Sequence, residues 1–299
     1  MSTAVGERIV LAPAAPLAIV DIAMRTPAAP TAAAFWATEL GYSAAESSRA
    51  GARDAFSTVV ENWGTGQVGL VACGPDAAGL AERISLVGPD RFSETWLGGD
   101  AASDASVALR WLIDGFAGRR FERAMLGAIS PSDDGTTRET WLVLAPLAEA
   151  RAVGLRVLAV WGEEPAAGGI QLVASALGGK AEIEGALAAA LPAEPARLPV
   201  RALWRPRDVG GSEAHAIITV CAAAALAVAY RALPASHGVG EWLGPRERGF
   251  GQFPRPRPWL REPSDVPRTA LALLPGERSA VALSFSDADP EGADPRSLA

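Results

Sequence analysis

The chain has 299 residues, 49% of them apolar and 20% charged, enough for a large core arranged as one big domain or two small ones. Its net charge of −7 disfavours non-specific binding to nucleic acid. Cys73 and Cys221 are the only cysteines and have no CxxC or metal-ligand spacing, so both read as reduced, buried thiols.

The amino terminus has no basic n-region, and Pro13, Pro16 and Asp21 interrupt its apolar stretch. No signal peptide is expected, and the expected location is cytoplasmic. Ser43 with Glu46 forms a capping box before a helical pattern that runs to about Trp63, where Gly64 and Gly66 end it. Gln67–Cys73 reads as a buried strand, and helices are expected near Pro75–Leu86 and Ser103–Phe116. Arg123–Ser130 is short and ends in a Ser-Pro turn, which favours a strand. Asp133-Asp134-Gly135 reads as a turn rather than a metal site.

Leu155, Val157, Ala159 and Trp161 alternate, and so do Leu198, Val200, Ala202 and Trp204. Each run leads into a charged loop and a glycine pair, Gly168–Gly169 or Gly210–Gly211, with a helical pattern at Lys180–Leu191 between them. Strand, helix, strand at this separation predicts a βαβ unit with parallel strands. Ala214–Tyr230 is charge-free apart from His215, rich in alanine and flanked by Glu213 and Arg231, which predicts a buried core helix rather than a membrane span. Arg268–Leu274 and Ser279–Phe285 flank Pro275-Gly276-Glu277-Arg278 as a hairpin. Residues 286–299 read as an acidic disordered tail. Its Asp287, Asp289, Glu291 and Gly292 imitate an EF-hand start, but Leu298 stands where the closing glutamate is needed.

There is no GxSxG, HExxH or GxGxxG, and Gly179-Lys180 fails as a P-loop because Ala174 and Ala181 flank it. No cofactor and no metal is indicated. Of the two histidines, His237 sits in a turn and His215 would be the third residue of the apolar helix, with Ser212 as its N-cap. Gly210-Gly211-Ser212 offers backbone N–H groups at a helix start, the general recipe for holding an anion. With Trp204, Arg205 and Arg207 just upstream, these residues form a candidate ligand-binding set, capping being the competing use. Gly244–Arg268 interleaves six arginines with Phe250, Phe253 and Trp259. It is either an arm packed along its own domain or a docking surface for an acidic partner.

Taken as ordered blocks, the chain resembles a shortened β-ketoacyl synthase of the thiolase superfamily. Gln67–Cys73 is similar to the strand before the family's first insertion. Gly98–Gly118 (GGDAASDASVALRWLIDGFAG) with Arg123–Ser130 resembles the nucleophile loop, its buried helix and the next strand. Thr140–Ala159 resembles the following strand, turn and strand, and Leu198–Glu213 the segment carrying the first catalytic histidine. His215–Gly238 resembles the second-histidine helix, and Arg268–Phe285 the closing strand pair. The resemblance implies a layered α/β fold of two related halves, with residues 1–285 as one unit divided softly near 153.

The departures from the family decide what the resemblance implies for function. The nucleophile position falls near Ala101, and Gly98–Ser106 contains no cysteine. The first histidine's place falls at Trp204–Arg205, and only His215 could remain of the second. Claisen condensation needs a thiolate to carry the acyl chain and polar groups to stabilise the carbanion. The resemblance therefore implies a catalytically silent, chain-length-factor-like partner of an active synthase, dimerising with it or with a second copy of itself through Phe116, Phe121, Met125 and Leu126. Acyl carrier protein would then meet Arg246, Arg248, Arg255 and Arg257. An enzyme of another class that binds an anion at Ser212 and His215, and a structural assembly protein, are the alternatives.

Overall fold

A computed structural model describes residues 9–27, 29–40, 54–63, 66–75, 77–132, 135–162, 170–177, 201–204, 211–235, 250–251, 255–259, 267–275 and 281–287. In chain order the first half contains β1 (Ile9–Val10), β2 (Leu17–Arg25), α1 (Ala32–Glu39), α2 (Ala55–Trp63), β3 (Val68–Cys73), α3 (Ala77–Val87) and β4 (Glu94–Gly98). It continues with α4 (Ala102–Ala117), β5 (Arg123–Pro131), β6 (Thr137–Pro146) and α5 (Leu147–Ala152). The second half contains β7 (Ala159–Gly162), β8 (Leu172–Ser175), β9 (Arg201–Trp204), α6 (Glu213–Ala229) and the short β10 (Ala232–Leu233), β11 (Phe250–Gly251) and β12 (Arg257–Pro258). The hairpin β13 (Thr269–Leu274) and β14 (Val281–Ser286) closes it.

Eleven of these strands run side by side as β11-β9-β8-β13-β14-β7-β2-β6-β5-β3-β4. Split at the β2–β7 contact, the two sets have the same order. β4-β3-β5-β6-β2 and β9-β8-β13-β14-β7 each place their own third, second, fourth, fifth and first strands side by side. The orientations repeat too: the first three neighbours in each set are parallel, and the fifth strand is antiparallel to both its neighbours. In each set a long helix joins the third strand to the fourth, α4 in one and α6 in the other. Each of these helices is followed by an arginine at positive φ, Arg119 at 52° and Arg231 at 51°. This is a mixed α/β fold of two related halves. One exchange crosses between them: β1 precedes the first set but pairs with β14 of the second.

The layers follow from burial. α6 packs against β5 and β6 of the first set and against β13, β8 and β14 of the second, and is buried on every side. α4 lies beside it and buries Ala105, Ala108, Leu109, Leu112 and Gly115, a single helical stripe. The helix expected to be buried therefore keeps one open face, on which Val107 is 50% exposed. The outer face of the first set is covered by α2 and α3 through Phe56, Val59, Val60, Leu80 and Ile84. Arg83 of α3 pins this layer by pairing with Asp54 and with the buried Glu139 of β6, which also accepts the Phe56 N–H. Arg83 is held above its usual pKa; Glu139, then Asp54, outweigh the opposing effect of burial.

Several expectations are corrected. The described helix before Trp63 begins at Ala55, where the Asp54 carboxylate accepts the Ser57 N–H; Ser43 and Glu46 lie outside the described residues. The run Leu155–Trp161 is a strand only from Ala159, and Leu155 and Val157 pack, half-buried, against the outer core. Three strands separate it from its expected parallel neighbour: β9 pairs with β8, which the alternation did not mark. Lys180–Leu191 lies outside the described residues. The fold also extends past 285, since Ser286 ends β14 and Asp287 forms an ion pair with Arg268 at 2.9 Å.

Three of the four residues expected at a dimer contact, Phe121, Met125 and Leu126, are buried within the chain, while Phe116 is half-buried. β5 is an interior strand between β3 and β6, so its alternate residues point into two different cores. Leu126 joins the α4/α6 side and Met125 the α2/α3 side, both fully buried. Phe121 is buried against Trp111 and Phe116. We predict that Met125→Ala costs about 2–5 kcal/mol of stability, as for other core truncations. Met125→Arg should leave the chain insoluble or unfolded by circular dichroism, rather than yield a folded monomer.

Candidate functional site

The two counterpart helices bring their N-termini together. Ala101 is the N-cap residue of α4 and makes no side-chain cap, so the first-turn amides of α4 must be satisfied from elsewhere. Glu213, the first residue of α6, extends its carboxylate to the Ala102 N–H at 3.0 Å. In return the Ala214 N–H donates to the Asp100 carbonyl at 3.1 Å. Each helix start is thus closed by the segment that opens the other, across the boundary between halves.

Ser212 caps α6 itself, its hydroxyl accepting the His215 N–H at 3.1 Å. Its own N–H donates to Ser130 Oγ at the end of β5, 3.0 Å away. Gly211 is required beside it: at φ +102°, an added Cβ would sit 2.5 Å from Ser130 Oγ. Gly74 has the same role at the end of β3, where at φ +150° a Cβ would lie 2.1 Å from the Ile129 carbonyl. The Gly74 N–H donates to the Gly99 carbonyl at 3.0 Å, joining the loop after β3 to the loop after β4.

His215 is fully buried, and its Nε2 lies 3.3 Å from Thr140 Oγ1 and 3.4 Å from Thr219 Oγ1. The two hydroxyls are 3.0 Å apart, so a polar triangle ties α6 to β6 inside the apolar layer. Thus Ser212 acts as a cap and His215 as a core tie.

The electrostatics around Ala101 are acidic. Burial, then Glu213 and Asp104, push the Asp100 carboxyl above its ordinary pKa. Its Oδ1 is shielded from solvent without a hydrogen-bond partner among the described residues. Cys73 ends β3 opposite Gly98, and burial followed by Asp104 and Asp100 pushes its thiol up to about 12. Burial alone raises Cys221 on α6 to about 12. Among the described residues no group of three or more His, Cys, Asp or Glu could hold a metal. Among them, too, no helix is long and apolar enough to cross a membrane.

The remaining candidates separate. Trp204 is fully buried, its indole N–H donating to Glu39 at 3.1 Å and its ring meeting Trp36 edge-on, so it serves the core. Arg205, Arg207, Gly210, Arg246 and Arg248 lie outside the described residues. Arg255 is exposed, while Arg257 joins β12, which pairs with β10. Trp259 beside it is buried and donates to Gln171 at 2.8 Å, so this end of the arginine-rich segment packs on its own domain. Two cavities open at the opposite, C-terminal ends of the counterpart helices. One of about 600 Å³ reaches Phe116 and Phe121, and one of about 440 Å³ reaches Leu226 and Tyr230. Sequence reasoning missed Asp100 and Glu213. An acidic first-turn residue reads locally as a partner of its own helix, and only the apposition of two helix starts gives it another.

No family model and no curated protein matches this sequence. Solved structures do. The ketosynthase domain OzmH KS8 of oxazolomycin biosynthesis, from Streptomyces albus JA3453, has TM-score 0.67 at 17% identity, over 93% of this chain and 96% of that one. Domain OzmH KS7 gives 0.67 at 15%, over 93% and 76%. The ketosynthase from module 6 of the Bacillus subtilis 168 bacillaene synthase gives 0.64 at 13%, over 92% and 72%. The chain has the thiolase-like fold of ketosynthases.

The acidic cluster gives a signed expectation. Because the Asp100 carboxyl is easier to protonate in the folded chain, its ionisation opposes folding, and stability falls as pH rises through the carboxylate range. Asp100→Asn should therefore raise Tm at pH 7 by roughly 1–3 °C, the scale of a screened contact. The gain should vanish below about pH 4, where the carboxyl is protonated in both states. Thermal melts across pH check both halves of the statement.

Proposed function

We propose that this chain is a ketosynthase-like subunit without condensing activity of its own. It would act like a chain-length factor, as partner of an active β-ketoacyl synthase in fatty-acyl or polyketide-type biosynthesis. The observation that carries this reading is the start of α4. Where the resemblance puts the nucleophile, alanines stand at 101 and 102, and the Glu213 carboxylate already holds the Ala102 N–H. An acyl thioester needs a thiolate at that place, and the position offers no sulfur. The two cysteines present are buried, and burial pushes both thiols up to about 12, so they are protonated at neutral pH. A chain that keeps the ketosynthase build but cannot carry an acyl group must act through its surface or its shape.

The surface that fits a partner is the β4 end of the sheet. β4 closes the strand order with no further neighbour among the described residues, and an unpaired strand edge is a template for another strand. Trp96 and Leu97 on it are half-buried, and Val107 lies half-exposed on the open face of α4, the helix that follows β4. Glu94 is neutralised by Arg120, which also stacks on Trp111. A stable interface has an apolar centre and a polar rim. A synthase of the same fold would present an equivalent edge, and antiparallel pairing would continue one sheet through both subunits. Exposed Arg255, with Arg246, Arg248 and Arg257, supplies positive charge for an acidic carrier protein.

Three results test the proposal. Incubation with acyl carrier protein loaded with an acyl group should leave the intact mass of this chain unchanged; an acyl adduct on Cys73 or Cys221 would overturn silence. Alkylation by iodoacetamide at pH 8 should be undetectable in the folded chain and complete at both thiols in denaturant. Co-purification from the native host should recover an active synthase, and Val107→Arg should abolish recovery while leaving Tm within about 2 °C, as for a solvent-facing substitution. A monodisperse monomer that captures no synthase would sink the partner role.

A further inference from the structure

The smaller cavity lies where the two halves part, and its position follows from the register. β7 pairs with Leu17–Ile19 of β2 and no further, while β2 bulges against β6 between Ile19 and Asp21. Beyond Ile19 the two strand sets diverge, and the opening of about 440 Å³ is walled by Val20 and Ile22 of β2, Leu158, and Leu226 at the end of α6. That volume falls within the range of small-ligand sites, which favour such junctions.

Charge at this cavity is unevenly spent. Asp21 lines it, but both carboxylate oxygens are already engaged: Oδ1 accepts the Ile22 N–H at 2.8 Å and Oδ2 the Trp63 indole N–H at 2.7 Å. Arg156 also lines it and forms no ion pair or hydrogen bond among the described residues. Tyr230 closes one side with its ring stacked on Trp36 at 5.9 Å, and the first turn of α1 adds the positive end of a helix to the same wall. The cavity thus combines a mixed polar and apolar lining with the unpaired guanidinium of Arg156.

We infer that this junction cavity is a binding site for a small organic carboxylate with an apolar body, the carboxylate on Arg156 and the body against Val20, Ile22, Leu158 and Leu226. The inference is independent of the partner role proposed above, since the cavity lies at the C-terminal end of α6 and away from β4.

The probes are hexanoate, hexanol and inorganic phosphate, read by isothermal titration and by ligand-induced change in Tm on the full chain. Hexanoate should bind saturably at one site and raise Tm, with hexanol and phosphate each at least about tenfold weaker, the worth of one charge-assisted contact or of the apolar body. Arg156→Gln should weaken hexanoate about tenfold while leaving hexanol unchanged. Ala33→Trp, which fills the exposed mouth without touching the core, should remove binding while the unliganded Tm stays near wild type. Hexanol binding as tightly as hexanoate would overturn the role of Arg156. Phosphate binding as tightly would overturn the role of the apolar body. No binding by hexanoate, or binding that survives Ala33→Trp, would overturn the site. Loss of hexanoate binding would leave synthase co-purification intact, so the two readings fail separately.

Discussion

The structure depends on burying one apolar helix on all of its sides. From Ala214 to Val228, α6 exposes almost nothing, and the run Ala222–Ala225 is the thinnest part of the rod. A helix satisfies its own backbone, so it can lie between two strand sets where a loop could not. Small side chains let both sets approach closely enough to exclude water. What remains polar must then be solved locally. Thr140 answers His215 and Thr219 in the first two turns, Ser212 and the Asp100 carbonyl answer the α6 N-terminus, and Glu213 answers that of α4. The constraint that makes the core also decides where a polar cluster can form: at the ends of the central helices.

The two halves meet the same demand differently, and this difference bears on function. α6 has a serine at its N-cap and completes its own first turn, whereas α4 has Ala101 there and borrows a carboxylate from α6. α6 is enclosed on all sides, whereas α4 leaves one face beside an open strand edge. Of two copies of one plan, one has become the centre of the core and the other a boundary.

Legibility in the sequence followed the range of the interaction. Ser212 could be assigned as a cap because its partner is three residues away, and β3, α4, α6 and the β13–β14 hairpin were marked by local pattern. β2 was missed because Asp21 looked like an interruption. In the structure Asp21 sits at the bulge and is held by Ile22 and Trp63, the latter 42 residues on. The Glu213–Ala102 contact spans 111 residues, and nothing local announces it. The misplacement of Met125 and Leu126 was avoidable. An uninterrupted apolar run such as Ala124-Met125-Leu126-Gly127-Ala128 is the mark of a strand covered on both faces, not of one offering a face to a partner.

The α4 start holds no cysteine, and its electrostatics also disfavour a thiolate. A helix N-terminus ordinarily favours a thiolate, because the peptide dipoles place partial positive charge there. Here Glu213 takes the Ala102 N–H itself, and Asp100 and Asp104 stand beside it, so the local field opposes any further anion. Cys73 shows the effect: it ends the strand next to β4, and the two aspartates add to burial in holding its proton. Absence of a cysteine at 101 could be reversed by one substitution, but the carboxylates around it could not. In a chain with the thiolase-like fold, the start of α4 is thus a place where Glu213 ties the two halves together and the carboxylates beside it disfavour a bound anion.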